Sequence, residues 1–114
     1  MISFACQRID IKDIIRCSFD LSRTEYVLLV HLLGEEEPVT ISAIANKKGL
    51  ERSTVQKAIS NLYEKGIVER RQLNLSSGGY RYIYAVKEKE LLKERLSKVM
   101  DEWFRNVREA VDKW

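Results

Sequence analysis

The chain has 114 residues, which suits one domain with a single hydrophobic core and leaves too little for two. Hydrophobic residues make up 45% and charged residues 32%, with five Gly and one Pro, a balance that argues against disorder or low complexity. One His and two Cys leave no material for a His-built metal site, a Ser/His/Asp triad or a disulfide framework, so no cofactor and no enzymatic activity are expected.

No apolar run approaches the roughly 18–20 residues that span a bilayer, and the longest, Tyr26 to Leu33, is broken by His31. The opening MISFACQRIDIKD has neither a basic leader nor a sustained apolar stretch, and a cytoplasmic protein without membrane contact is expected. The net charge of +3 is unevenly spread. From Ala45 to Lys87 nine basic residues face three acidic ones, whereas the remainder holds eleven basic and fourteen acidic residues. A polyanionic partner therefore suits the middle of the chain.

In chain order, Ile9, Ile11, Ile14, Ile15 and Phe19 recur mostly every three to four residues, which predicts an amphipathic N-terminal helix within residues 1–20. Ser22 with Glu25 makes a capping-box pattern, and a helix is predicted over Arg23–Leu33, stopped by Gly34 and followed by an acidic turn at Glu35, Glu36, Glu37 and Pro38. Val39 suits a short strand. Thr40 then caps a brief helix, Ile41 to about Lys48, ended by Gly49, with Leu50 packed inward at the turn. The next helix, about Arg52–Lys65, places Val55, Ala58, Ile59 and Leu62 on one buried stripe. Two strand-like runs, Ile67–Leu75 and Tyr80–Val86, flank Ser76, Ser77, Gly78 and Gly79 and read as a hairpin. From Lys87 to Trp114 a single long helix is predicted, with Leu92, Leu96, Val99, Trp103, Val107, Val111 and Trp114 along one stripe.

Helix, short helix, glycine turn, helix and hairpin is the order of a winged helix-turn-helix. The expected fold is mainly α with a small β-hairpin wing, an α+β winged helix with a two- to three-stranded wing sheet and a long C-terminal helix. The buried stripe turns Arg52, Ser53, Gln56, Lys57, Ser60 and Asn61 outward, and these side chains can bond base edges and phosphates in a major groove. On the hairpin, Ser77 and Gly78 at the tip, together with Arg81, suit a phosphate or the minor groove. Arg70 and Arg71 point to opposite faces of their strand, so one of them at most meets DNA directly. Tyr80, Tyr82 and Tyr84 share a face and are expected to pack. His31 is expected to be half-buried without a functional role, and Cys6 and Cys17 to be reduced, partly buried thiols.

The stretch TISAIANKKGLERSTVQKAISNLYEKGIVERR, residues 40–71, extended by GGYRYIYAV, resembles the winged-helix domains of the MarR and TrmB transcriptional regulators. The resemblance implies that Ser53, Thr54, Gln56 and Lys57 face the groove, and Thr40 joins the candidate set at the start of the preceding helix. It departs at Glu51, where such proteins often carry a capping Ser or Thr. It also implies dimerisation through terminal helices, which agrees with the size of Trp103, Phe104 and Trp114. Residues 1–20 are thus expected to form a helix with a dimer contact, residues 21–86 a DNA-binding core, and residues 87–114 a dimerisation helix.

The function these readings predict is a sequence-specific regulator that binds double-stranded DNA as a homodimer, with helix 52–65 in the major groove and wing 75–82 on the backbone or minor groove. A small-molecule effector would need a small pocket between the DNA-binding and dimer parts. The alternative is a winged-helix protein-interaction module without DNA contact, against which the basic middle speaks. RNA binding is disfavoured because single-strand readers expose aromatic platforms on a sheet, and here the polar face of a helix is the better-formed feature.

Overall fold

A computed structural model describes residues 1–114. In chain order the elements are β1 (Ile2–Phe4), β2 (Gln7–Ile9), α1 (Ile11–Phe19), α2 (Arg23–Leu33), α3 (Ile41–Lys48), α4 (Arg52–Glu64), β3 (Val68–Asn74), β4 (Tyr80–Val86) and α5 (Lys89–Asp112). They divide into a core unit, Ser22–Lys87, and a terminal unit made of Met1–Leu21 with Glu88–Trp114.

The core unit follows from its caps and its apolar stripes. Ser22 Oγ accepts from the Glu25 N–H at 3.1 Å while the Glu25 carboxylate accepts from the Ser22 N–H at 3.3 Å, so two otherwise unbonded donors at the start of α2 are satisfied. Thr40 caps α3 by accepting from the Ala43 N–H at 3.2 Å, and Gly49 ends it at φ 63°, a conformation that costs a residue without Cβ little. Leu28, Leu29 and Leu32 of α2, Ile41, Ile44 and Ala45 of α3, and Val55, Ala58, Ile59 and Leu62 of α4 are buried, joined by Ile67, Val68 and Tyr84 of the hairpin. Leu50 does not pack inward as its position suggests: it is 36% exposed, even though the turn bonds its N–H back to the Ala45 carbonyl.

The wing is an antiparallel hairpin in which Val68 pairs with Val86 and Asn74 with Tyr80. Val39 adds a third strand of one residue, exchanging both ladder bonds with Tyr84 at 2.9 and 2.8 Å, so β4 lies at the centre of the sheet order.

Glu25 is 6% exposed and is the only buried charged residue of the chain. Its carboxylate accepts from the Asn61 amide at 3.0 Å and the Lys65 ammonium at 3.2 Å, which ties the start of α2 to the end of α4. Burial pushes its pKa up. The hydrogen bonds from Asn61, Lys65 and the Ser22 N–H, with the charge of Lys65, outweigh that and hold the carboxyl below the ordinary Glu value. A folded-state pKa below the unfolded one stabilises the fold above the ordinary carboxylate range, and this contribution is lost as pH falls through the folded value. Glu25→Gln should cost about 1–3 kcal/mol at neutral pH, as expected for hydrogen bonds to a charged group, and should flatten the acid limb of stability followed by circular dichroism.

In the terminal unit the sequence expectation needs correction. Residues 2–9 form a hairpin, Ile2 opposite Ile9 and Phe4 opposite Gln7, and helix begins only at Ile11, where Asp10 accepts from the Lys12 N–H at 3.0 Å. Ile2, Phe4 and Ile9 favour a strand, and a cap at Asp10 stops the helix from extending backward. Cys6, in the turn of that hairpin, and Cys17 are both exposed, which corrects the expectation of partly buried thiols. α1 packs along α5, with the Arg95 guanidinium 5.4 Å from the centre of the Phe19 ring. Leu92 is buried and Leu96 and Met100 are half-buried, whereas every residue from Asp101 to Trp114 is exposed.

Candidate nucleic-acid interface

The buried stripe of α4 fixes its rotation, Ser53 and Lys57 stand exposed opposite it, and Arg52, Thr54 and Gln56 are exposed on its flanks. Gln56 Nε2 donates to Ser60 Oγ at 3.1 Å, an i,i+4 bond that steadies the amide along the helix. Two residues of the expected outward set behave differently. Ser60 is half-buried and accepts from Gln56, and Asn61 is half-buried with its amide engaged by the Glu25 carboxylate. One turn further along α4 the helix meets α2, so Asn61 serves the core and not an outer face. Glu51 begins α4 without a side-chain cap, which leaves the first backbone donors of the helix unbonded by it.

Register on the wing separates its arginines. Arg70 lies on the face of Val68, Gln72, Tyr82 and Tyr84, and its guanidinium sits 4.3 Å from the centre of the Tyr63 ring of α4 and 4.4 Å from that of Tyr82. It is held between two aromatic faces, a cation–π arrangement that joins the wing to α4. Arg71 and Arg81 occupy the other face as diagonal neighbours, and both are exposed. Tyr80, Tyr82 and Tyr84 pack edge to face on one another, at 5.5 and 6.5 Å between centroids, as their shared face predicts. The tip holds Gly78 and Gly79 at φ 94° and 79°, where no other residue sits without strain, and Ser77 is exposed beside them.

Between the start of α3, the first half of α4 and β4 lies an open cleft of about 260 Å³, onto which Thr40, Arg52, Gln56 and Arg81 all open. Four residues chosen separately along the sequence are thus brought to one place. Ser42 and Tyr82 line the same cleft and were not singled out by sequence, since a Ser at the second position of a helix and an alternating Tyr carry no distinguishing pattern.

His31 is half-buried as expected; its Nε2 lies 3.2 Å from Glu35 Oε1 without the alignment of a hydrogen bond. Glu35 also holds Lys47 of α3 at 3.1 Å. No group of three or more His, Cys, Asp or Glu side chains is placed to hold a metal ion, and no helix is long and apolar enough to cross a membrane.

On α5, Val99, Trp103, Phe104, Val107 and Val111 are exposed, Trp103 to 55% and Trp114 to 96%, and the Trp103 and Phe104 rings meet edge to face at 5.1 Å. Leu92, expected on the same intermolecular seam, is already buried within the chain, and Leu96 is half-covered, because the first half of α5 lies against α1.

Comparison with known proteins gives concordant matches. The family model described as "Sugar-specific transcriptional regulator TrmB" matches residues 15–90. MJ1503, an uncharacterized protein of Methanocaldococcus jannaschii, is 30% identical over 112 residues, covering 98% of this chain and 84% of the relative. A possible transcriptional regulator from Methanosarcina mazei Go1 superposes with a TM-score of 0.91 at 30% identity, over 100% of this chain and 96% of that one. MepR of S. aureus, solved in complex with DNA, shares the fold at a TM-score of 0.57 and 19% identity, over 88% of this chain and 81% of MepR.

Proposed function

The chain belongs to the TrmB family of transcriptional regulators, and from that premise we propose that it binds duplex DNA as a homodimer, with α4 in the major groove and the wing on the backbone or minor groove. The observation that carries this reading is the polar surface of α4: Arg52, Ser53, Thr54, Gln56 and Lys57 are exposed outside the buried stripe, and Thr40 and Arg81 share a cleft with Arg52 and Gln56. Lys and Arg fix the register on phosphates, and the Gln56 amide can bond an adenine edge. MepR, which shares the fold, has been solved in complex with DNA, which supports DNA as the partner.

Within the wing, Arg71 and Arg81 serve the DNA, with Ser77 and Gly78 at the tip, while Arg70 positions the wing from its place between Tyr63 and Tyr82. The domain roles follow: residues 21–86 read DNA, residues 87–114 dimerise, and the N-terminal segment adds to the dimer contact. The seam that joins two copies runs through Val99, Trp103, Val107, Val111 and Trp114, which the single chain leaves in water. Two reading helices related by a twofold axis suit half-sites one helical turn apart. A regulator of this kind works beside DNA in the cytoplasm and performs no catalysis.

Binding of a genomically selected duplex, followed by fluorescence anisotropy, should depend steeply on salt. If a dimer neutralises six or more phosphates, affinity should fall by about a thousandfold between roughly 50 and 200 mM salt. An affinity that stays within about threefold over that range would remove phosphate contact from the reading.

A further inference from the structure

The cleft beside α4 is rich in donors and holds no carboxylate. Arg52 and Arg81 supply guanidinium groups, and neither pairs with a carboxylate. Gln56 brings an amide whose second N–H is not used by Ser60. The Thr40 hydroxyl oxygen already accepts from the Ala43 N–H, which leaves its proton to be given outward, and Ser42 adds a second hydroxyl. The N–H groups of Ile41 and Ser42 precede the first bonded turn of α3, in which Thr40 engages only Ala43 and Ile44. Tyr84 exchanges both ladder bonds with Val39, so by the alternation of an antiparallel ladder the N–H of Tyr82 points to the same edge, past the end of that one-residue strand. No Asp or Glu lines the cleft.

Donors that converge from the start of α3, from α4 and from β4 match an anion that accepts in three directions. A carboxylate offers two oxygens in one plane, whereas a tetrahedral phosphate offers acceptors toward all three walls. The volume is several times the roughly 30 Å³ share of one water, so there is room for a phosphoryl group and a small organic body against the Tyr82 ring.

We propose that this cleft is a binding site for a small phosphorylated ligand and that its occupancy excludes DNA. The exclusion rests on the DNA reading above, because Arg52, Gln56 and Arg81 are assigned to both partners. A phosphate in this seat can come from a free phosphate monoester or from the phosphodiester backbone of a duplex. The two sources carry different charge and are separable.

The test uses the full-length protein labelled with ¹⁵N and free of DNA, titrated with inorganic phosphate, with dimethyl phosphate, and with chloride at matched ionic strength. Saturable shifts confined to the amides of Ile41, Ser42, Gln56 and Tyr82 and the side chains of Arg52 and Arg81 are expected with inorganic phosphate. They should vanish in the R52Q/R81Q double variant, while the rest of its spectrum stays in place. Shifts spread over all basic residues that follow chloride overturn the site, and this arm needs no variant. Response to dimethyl phosphate alone also overturns it, since the seat then takes only the DNA backbone. In competition, phosphate at ten times its own Kd should raise the half-saturating duplex concentration roughly tenfold beyond equal ionic strength of chloride. Tight duplex binding with no local phosphate shift removes the ligand site and leaves the DNA reading standing. Saturable phosphate binding by a protein that takes up no duplex at any salt removes the DNA reading and with it the exclusion.

Discussion

Removal of Trp103–Trp114 should leave a folded monomer that has lost at least about a hundredfold in affinity for a two-half-site duplex, since linked modules gain roughly 10²- to 10⁴-fold over either alone. The cut lies beyond the part of α5 that lies along α1: Leu92 is buried and Leu96 and Met100 are half-buried upstream of it, and those contacts remain. What the cut removes is two indoles, the Phe104 ring and the exposed faces of Val107 and Val111. An aromatic side chain carries about 150–250 Å² of area, worth several kcal/mol when buried at about 25 cal/mol per Å², enough for this stripe to hold two copies together once the cost of association is met. Sedimentation velocity at micromolar concentration decides the first half of this expectation and anisotropy on a duplex with one or two half-sites the second. A full-length chain that sediments as a monomer, or a truncated one that remains dimeric and binds equally well, would sink the proposed assembly.

The double substitution Gln56→Ala with Lys57→Ala should weaken duplex binding by about ten- to a thousandfold, the range spanned by losing one good base contact of about 1–3 kcal/mol and one phosphate contact. Both side chains are exposed and lie away from Val55, Ala58, Ile59 and Leu62, so thermal stability should stay within about 0.5 kcal/mol of the wild type. The only intramolecular bond at stake is that from Gln56 to Ser60, on the exposed side. Substitution of Ile59 by Ala is the matching control. It empties a fully buried position and should cost about 2–5 kcal/mol, with loss of binding following loss of fold. A melting point that falls for the surface pair as it does for Ile59→Ala would mean that α4 is rotated from the orientation argued here.

What the sequence made legible is tied to periodicity and to caps. Ser22 with Glu25 marked the start of α2 to the residue, because a capping box needs two particular side chains at one spacing. Thr40, Gly49 and the stripe from Val55 to Leu62 placed α3 and α4 just as firmly, and the resemblance to TrmB regulators carried by residues 40–71 is met by the family match. The N-terminal hairpin escaped notice because three-residue strands are too short for alternation to stand out against the helical spacing that begins at Ile9. Asn61 differs for another reason: an outward angle on a helix wheel says nothing about a buried carboxylate on the neighbouring helix. The choice between Arg70 and Arg71 depended likewise on where Tyr63 and Tyr82 stand, a tertiary fact that strand alternation alone does not contain.

The placement of Arg70 between Tyr63 and Tyr82 divides the wing as a hand rail divides a plank. On the near side Val68 and Tyr84 are buried, and on the far side β3 runs on exposed to Asn74 and turns through a loop whose two glycines lie at positive φ. Fast backbone motion should therefore rise abruptly beyond Arg70 and Tyr82 instead of grading along the strands, a step that NMR order parameters can resolve. A wing hinged there arrives at a duplex with its root direction already set, and the ordering entropy of docking falls on the handful of residues at the tip.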